Sequence, residues 1–168
     1  MSFDDVYRKY YRELRRFGRQ LNISAEKCED LTQETFMKFY MELNKGVIFR
    51  NPRAWLYKVY LNQLRTRCNS RENESGNIES RMNRGDLSAD LSEEFAKEEK
   101  RRIVFEMLNE MSDKEKAILL LYNQGFSYAE MADVLEINPN SVGTTLVRAI
   151  NRLKETLKIH YYEMFEQN

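Results

Sequence analysis

The sequence predicts an all-α protein: two small helical modules joined by an acidic flexible linker, the second containing a helix-turn-helix. Three observations carry that prediction. Glycine and proline are scarce, 6 and 2 in 168 residues, so little interrupts a helical chain. Apolar residues recur at three- and four-residue spacing over almost the whole length. One stretch, residues 70–91, is polar, rich in Ser and Asn and poor in large apolar side chains, a composition that buries too little surface to order itself. The modules are accordingly expected at residues 1–71 and 92–168, with the linker at 72–91.

The first helix is expected from Phe3 to about Leu21, with Val6, Tyr7, Tyr10, Leu14, Phe17 and Leu21 on its apolar stripe. Ser24 suits the N-cap of the next, whose stripe includes Cys28, Leu31, Phe36, Phe39, Tyr40 and Leu43. After a loop at residues 44–51, Asn51 and Pro52 open a third helix. Asparagine caps well, and proline at the first helical position lacks only an N–H that would be unpaired there anyway. That helix is expected to run through Trp55, Leu56, Val59, Tyr60 and Leu64 to about Cys68. Periodicity resumes at Ser92 and continues to about Asn109. Ser112 and Glu115 then have capping-box spacing, and Gly125 suits a helix stop. Ser127 and Glu130 form a second capping box, starting a short helix that ends near Glu136. Asn138 and Pro139 repeat the cap-plus-proline device and begin a last long helix, with Val142, Leu146, Ile150, Leu153 and Leu157 expected inward.

Formal charge sums to zero, 27 basic against 27 acidic residues, but its distribution is uneven. Residues 1–71 hold 15 Lys/Arg against 8 Asp/Glu, residues 72–113 hold 6 against 12, and residues 114–168 hold 6 against 7. The basic front is suited to tracking phosphates, and the acidic middle is repelled by them. The nearly neutral last third would bind DNA weakly alone and need a partner's help. Cys28 and Cys68 fall in separate expected helices with no CxxC or Cys/His cluster, which predicts packing residues and neither a disulfide nor a zinc site. His160, the lone histidine, reads as a helix-surface residue. No phosphate-binding glycine loop, metal-ligand cluster or nucleophile–base pair is recognisable, so a protein without cofactor or catalysis is expected. No charge-free run reaches the length of a membrane span, and the opening MSFDDVYRKYYRELRR lacks a signal-peptide core. A cytoplasmic protein without membrane insertion is therefore expected.

The stretch from Ser127 to Leu157 reads as a short helix, a turn of about four residues and a longer helix. Small Ala132 allows a close crossing, with Leu135, Ile137, Val142 and Leu146 at the contact. The start of the second helix could then enter a major groove. Asn138, Asn140, Ser141, Thr144 and Thr145 are the candidates for base edges, Arg148 and Arg152 for phosphates. Spacing alone also allows a plain helical hairpin; the paired helix-start signals favour the helix-turn-helix.

Three motifs taken together resemble a known family: DLTQETF at 30–36, RAWLY at 53–57 with Asn62 following, and FSYAEMA at 126–132. Their order and separation are similar to the extracytoplasmic-function (ECF) group of bacterial sigma factors, in the sigma-70 family. The likeness spans nearly the whole chain except the linker and the tail after about Lys158. It implies a factor that directs core RNA polymerase to promoters, of a stress, envelope or nutrient-response regulon. By resemblance, Asp30, Gln33, Glu34 and Met37 dock on the polymerase clamp; their three- and four-residue spacing puts them in one helical neighbourhood, with Leu31 and Phe36 packed inward.

The loop at 44–51 and the helix after it resemble the reader of the minus-ten element, which opens the duplex and holds unstacked bases of one strand. Aromatic surfaces beside positive charge suit such work. The residues implied are Phe49, Arg50, Arg53, Trp55, Lys58, Asn62, Arg65 and Arg67. Trp55 ranks below Arg53, Lys58 and Asn62, because one tryptophan on a small module usually belongs to its core. The second module is implied to read the minus-thirty-five duplex and to bind the polymerase flap through apolar surfaces around Ile103, Leu108 and Leu119. The acidic linker resembles the family's connector through the polymerase, where its charge could mimic nucleic acid. Single- and double-stranded promoter DNA and an anti-sigma factor complete the implied partners. The chain departs from the family at Leu61 and Thr66, where arginine and aspartate are common, at Gly143 and Thr145, where basic residues are common, and at Glu136, where the turn usually has glycine. Relatives' promoter preferences therefore do not transfer. The rival reading is a stand-alone helix-turn-helix regulator, which would bind duplex DNA tightly by itself, usually as a dimer.

Overall fold

The computed structural model describes residues 2–21, 23–72, 107–108 and 110–166. All regular structure among them is helical. The helices are α1 (Phe3–Gln20), α2 (Ala25–Asn44), α3 (Pro52–Glu72), α4 (Asp113–Asn123), α5 (Tyr128–Leu135) and α6 (Pro139–Glu166). Their starts follow from side chains that satisfy otherwise unpaired backbone N–H groups. Ser24 Oγ accepts from Lys27 N, and Asn51 Oδ1 accepts from Ala54 N at 3.0 Å. Ser112 with Glu115 and Ser127 with Glu130 form reciprocal capping boxes, as does Ser2 with Asp5, which the sequence reading did not identify. At Asn138, Oδ1 accepts from Asn140 N at 2.9 Å. Gly125, just past the end of α4, has φ +78°, a conformation open to glycine at no steric cost.

Helices α1–α3 enclose one core, in which Leu14, Phe17, Leu31, Phe36, Phe39, Leu56, Tyr57 and Tyr60 are buried. Phe17 and Tyr57 stack with ring centroids 4.8 Å apart. Gly18 permits the closest approach: a Cβ there would lie 1.9 Å from Tyr60 Oη. Helices α4–α6 close over Ile118, Leu121, Met131, Val134, Val142, Leu146 and Ala149. Each large apolar side chain so buried contributes about 1.5–3 kcal/mol.

Several expectations shift. Tyr40 and Leu157, placed on buried stripes, are half exposed, and Tyr7 is exposed on one side while its ring packs on Phe36. Beside Leu157, Thr156 is buried, so the covered side of α6 is turned away from Leu157 there; Tyr40 meets Phe3 edge-on and is otherwise open. Helix α3 continues to Glu72, past the expected end near Cys68. Of the helix expected from Ser92 to about Asn109, only Met107 and Leu108 are described and both are helical; Ile103 and residues 73–106 lie outside the described residues. The feature that linear spacing does not indicate is that α3 packs on α5 as well as on α1 and α2.

Candidate nucleic-acid interface

Helix α3 carries the basic residues expected to handle a DNA strand, and its packing between α2 and α5 decides what they touch. Arg53 lies at the start of the helix. Its Nε donates to Glu13 Oε1 at 2.9 Å and its Nη2 to the Gln124 carbonyl at 3.0 Å, while the guanidinium lies 4.2 Å from the Phe126 ring centroid. One turn on, the buried Tyr57 hydroxyl reaches Glu13 and Gln124, and its ring meets Phe126 edge-on at 4.9 Å. Burial, with Glu13 beside it, pushes the Tyr57 phenol far above the ordinary range. Lys58 Nζ pairs with Asp133 at 2.8 Å and Glu136 at 3.6 Å. The hydrogen bond to Asp133 raises the Lys58 pKa above its ordinary value, against a smaller desolvation effect. Arg65 donates to Asn62 Oδ1 at 3.2 Å and lies 3.9 Å from Glu136. Arg67 pairs with Glu34 of α2, which also holds Lys38.

The aromatics divide. Phe49 and Trp55 stack on each other at 5.0 Å and both lie against Phe39 of the core, so each is anchored and only partly accessible. The most exposed apolar side chain of this loop is Ile48, 91% accessible, with Val47 beside it also exposed. Val47, Ile48, Phe49, Arg50 and Trp55 line an open cleft of ≈ 480 Å³ whose far wall is Glu130 and Asp133 of α5. Arg50 is exposed and makes no ion pair among the described residues. Val47 and Ile48 were missed by the sequence reading; the available signal was an apolar pair following Gly46 in a loop with no helical stripe to join.

On α2, Asp30, Gln33 and Met37 are exposed along one side and Glu34 is half-buried. Gln33 donates to Glu29 at 3.0 Å, and Glu29 in turn holds Arg15 at 2.9 Å. The predicted clamp face is thus continuous, though Glu34 is already engaged by Arg67. Leu31 and Phe36 are buried, as their spacing indicated.

Helices α5 and α6 form the expected helix-turn-helix. Ala132, Leu135, Val142 and Leu146 are buried at the crossing. The turn contains Glu136 at φ 55°, ψ 46°, a left-handed conformation that costs a non-glycine residue roughly 1–2 kcal/mol. Asn140, Ser141 and Thr144 are exposed at the start of α6, and Arg148 and Arg152 farther along it. Two candidates are partly engaged within the helix: Asn138 as the cap, and Thr145, whose hydroxyl donates to the Ser141 carbonyl at 2.7 Å. Leu108 and Leu119 are partly buried against the core.

Both ends of this arrangement match one family. Residues 6–74 match sigma-70 region 2, and residues 101–153 match sigma-70 region 4. The chain belongs to the sigma-70 family. A stand-alone regulator would need only the second of these matches. The sigma factor is 29% identical over 165 residues to the RNA polymerase sigma factor YlaC of Bacillus subtilis (strain 168), covering 93% of this chain and 92% of the relative. It is 24% identical over 156 residues to the ECF RNA polymerase sigma factor SigM of the same organism, covering 92% and 94%. Among solved structures it is similar to the sigma factor RpoE of Bartonella quintana, seen in complex with the anti-sigma factor NepR. The TM-score is 0.69 and identity 27%, over 94% of this chain and 97% of that one. CnrH, solved with the cytosolic domain of CnrY, shares the fold at TM-score 0.66 and 22% identity, over 94% and 88%. The protein is an ECF sigma factor, which directs RNA polymerase to promoters and initiates transcription there. Among the described residues, no helix is long and apolar enough to cross a membrane.

Proposed function

We propose that labour divides between residues 1–71 and residues 92–168, joined by the acidic linker at 72–91. The first module binds the polymerase clamp through Asp30, Gln33, Glu34 and Met37 of α2. It opens and reads the minus-ten element with Arg50, Arg53, Lys58, Asn62, Arg65 and Arg67, aided by Phe49 and Trp55. Ile48 joins this set as the accessible wedge at the cleft mouth, where an apolar side chain can separate stacked bases. The second module reads the minus-thirty-five duplex with Asn138, Asn140, Ser141, Thr144 and Thr145, and holds phosphates with Arg148 and Arg152. Its apolar surfaces near Leu108 and Leu119 meet the polymerase flap. The protein acts as a cytoplasmic, non-enzymatic specificity subunit, and an anti-sigma factor is its expected inhibitor, as RpoE is found with NepR.

One observation carries this reading. A single cleft is lined by exposed Ile48, Arg50 and Trp55, residues of the apolar, cationic and stacking types that an unstacked strand needs. The test is transcription by core polymerase stripped of its own sigma subunit, with genomic promoter fragments and this protein added. Promoter-specific transcripts are expected, and their absence would refute the reading. Asn62→Ala should alter preference at one minus-ten position while sparing polymerase binding; equal loss of both would overturn its assigned role.

A further inference from the structure

The start of α6 carries no charge. From Pro139 to Val147 there is no Lys, Arg, Asp or Glu, and Arg148 is the first ion of the helix. Asn140, Thr144 and Val147 follow one another at four- and three-residue spacing, so they lie along one side, and all three are exposed. Val142, Leu146 and Ala149 are buried and supply the core contact of this part of α6. Val147 is left 55% accessible, an apolar side chain with no part in that core. Gly143 stands one turn before it. A Cβ added there would have Tyr128 Cε2 of α5 as its nearest neighbour, at 3.6 Å, and Tyr128 is itself half exposed. The surface beside Val147 is therefore bordered by an aromatic ring edge and a residue without a side chain.

This strip has a definite chemistry in a major groove. Guanine is read there chiefly by arginine or lysine, donating to O6 and N7, and the strip has neither. Its amide, at Asn140, can exchange two hydrogen bonds with adenine N6 and N7, and the methyl groups of Thr144 and Val147 suit the thymine C5 methyl. A solvated valine gains by burial against that methyl. Against cytosine it meets no methyl and takes water from an amino donor. Arg148, next in the chain, can hold a phosphate, a contact that carries no sequence information.

We infer that Val147 is a specificity-determining residue of this factor: with Thr144 beside it and Gly143 keeping the strip uncharged, it selects thymine, and so A·T over G·C, at the minus-thirty-five base pairs it faces. The inference rests on the reading of α6 as the minus-thirty-five reader and names the base class that the helix takes.

The experiment loads core polymerase with the full-length factor and selects from promoter fragments that it transcribes, randomised across the minus-thirty-five region. The enriched sequences should be A·T-rich. Deoxyuridine then replaces thymine one position at a time, which removes only the C5 methyl. The parent factor should bind about fourfold more weakly at one such position, the worth of one buried methyl-sized group. Val147→Ala should show a similar loss on thymine DNA and no further loss with deoxyuridine, at the parent's melting temperature. Gly143→Arg adds a side chain in ordinary contact only and improves helix propensity; it should bring a G·C pair into the enriched sequence. An enriched sequence rich in G·C for the parent, deoxyuridine sensitivity that Val147→Ala leaves unchanged, or a Gly143→Arg selection identical to the parent's would each overturn the inference while leaving α6 as the reader. A parent selection that enriches no base in this region would overturn the reading of α6 and the inference with it.

Discussion

On α3 the cations expected to meet DNA are already occupied, Arg53 by Glu13, Lys58 by Asp133 and Arg67 by Glu34. On α6 the contrast is Arg148, which is exposed and forms no ion pair among the described residues. The difference teaches where a substitution will register. A residue knitted into the tertiary structure carries stability as well as recognition, and its loss moves both. A residue on an open helix face carries recognition alone.

The largest contrast should come from Tyr57→Ala. It removes a fully buried ring that joins α1 and α3 to Phe126, and it should lower unfolding stability by about 3–5 kcal/mol. Thr144→Ala on α6 should stay within about 0.5 kcal/mol of the parent in the same denaturant titration. A Tyr57→Ala loss no greater than that of Thr144→Ala would erase the distinction.

Arg53→Ala should rank next, at about 1–3 kcal/mol, because Glu13 and the Gln124 carbonyl lose their donors in a partly buried setting. Arg148→Ala should leave the melting temperature alone. It should weaken minus-thirty-five duplex binding by the polymerase complex and reduce the salt slope by about one. If Arg148→Ala instead destabilised the fold, α6 would be more tightly integrated than its exposure implies.

Asn138→Ala should cost about 1 kcal/mol by uncapping α6, a local effect that leaves α3 untouched and is readable as lost helicity at the α6 start by hydrogen exchange.

The smallest effect is one of pH. Lys58 has a raised pKa when paired, so its contribution to the contact between α3 and α5 is complete below the ordinary lysine value near 10.5 and fades as pH rises through the higher folded value. Alkaline titration should therefore loosen α3 from α5. Glu130 is shifted the other way, held below its ordinary value by the Ser127 backbone N–H and then its hydroxyl. Its stabilising share is present above about pH 4.5 and is lost on acidification through the lower folded value. Hydrogen exchange at α5 across both ranges checks the two signs.

Local signals were legible residue by residue. Ser24, Asn51, Ser112, Ser127 and Asn138 start helices as read, since a cap needs only neighbours within three residues. The stripes were legible in their middles, at Leu14, Phe39 and Leu146, and misleading at Tyr40 and Leu157. Periodicity reports which side of a helix is apolar, while burial depends on which side another helix covers. Among the site residues, the grouping of Asp30, Gln33 and Met37 on one face followed from spacing. Trp55, expected in the core from its residue type, is anchored on Phe39; the anchoring of Phe49 there and the exposure of Ile48 did not follow from spacing.

By itself, then, the sequence determined that this chain is helical, where most of its helices begin, which segments are basic and which acidic, and, through three motifs in order, its family. Only the tertiary structure decided that the basic face of α3 is met by the carboxylates of α5 and its turn. Lys58 and Asp133 are 75 residues apart in the chain. Helix periodicity and capping are set by near neighbours, but a contact at that separation depends on how whole helices pack.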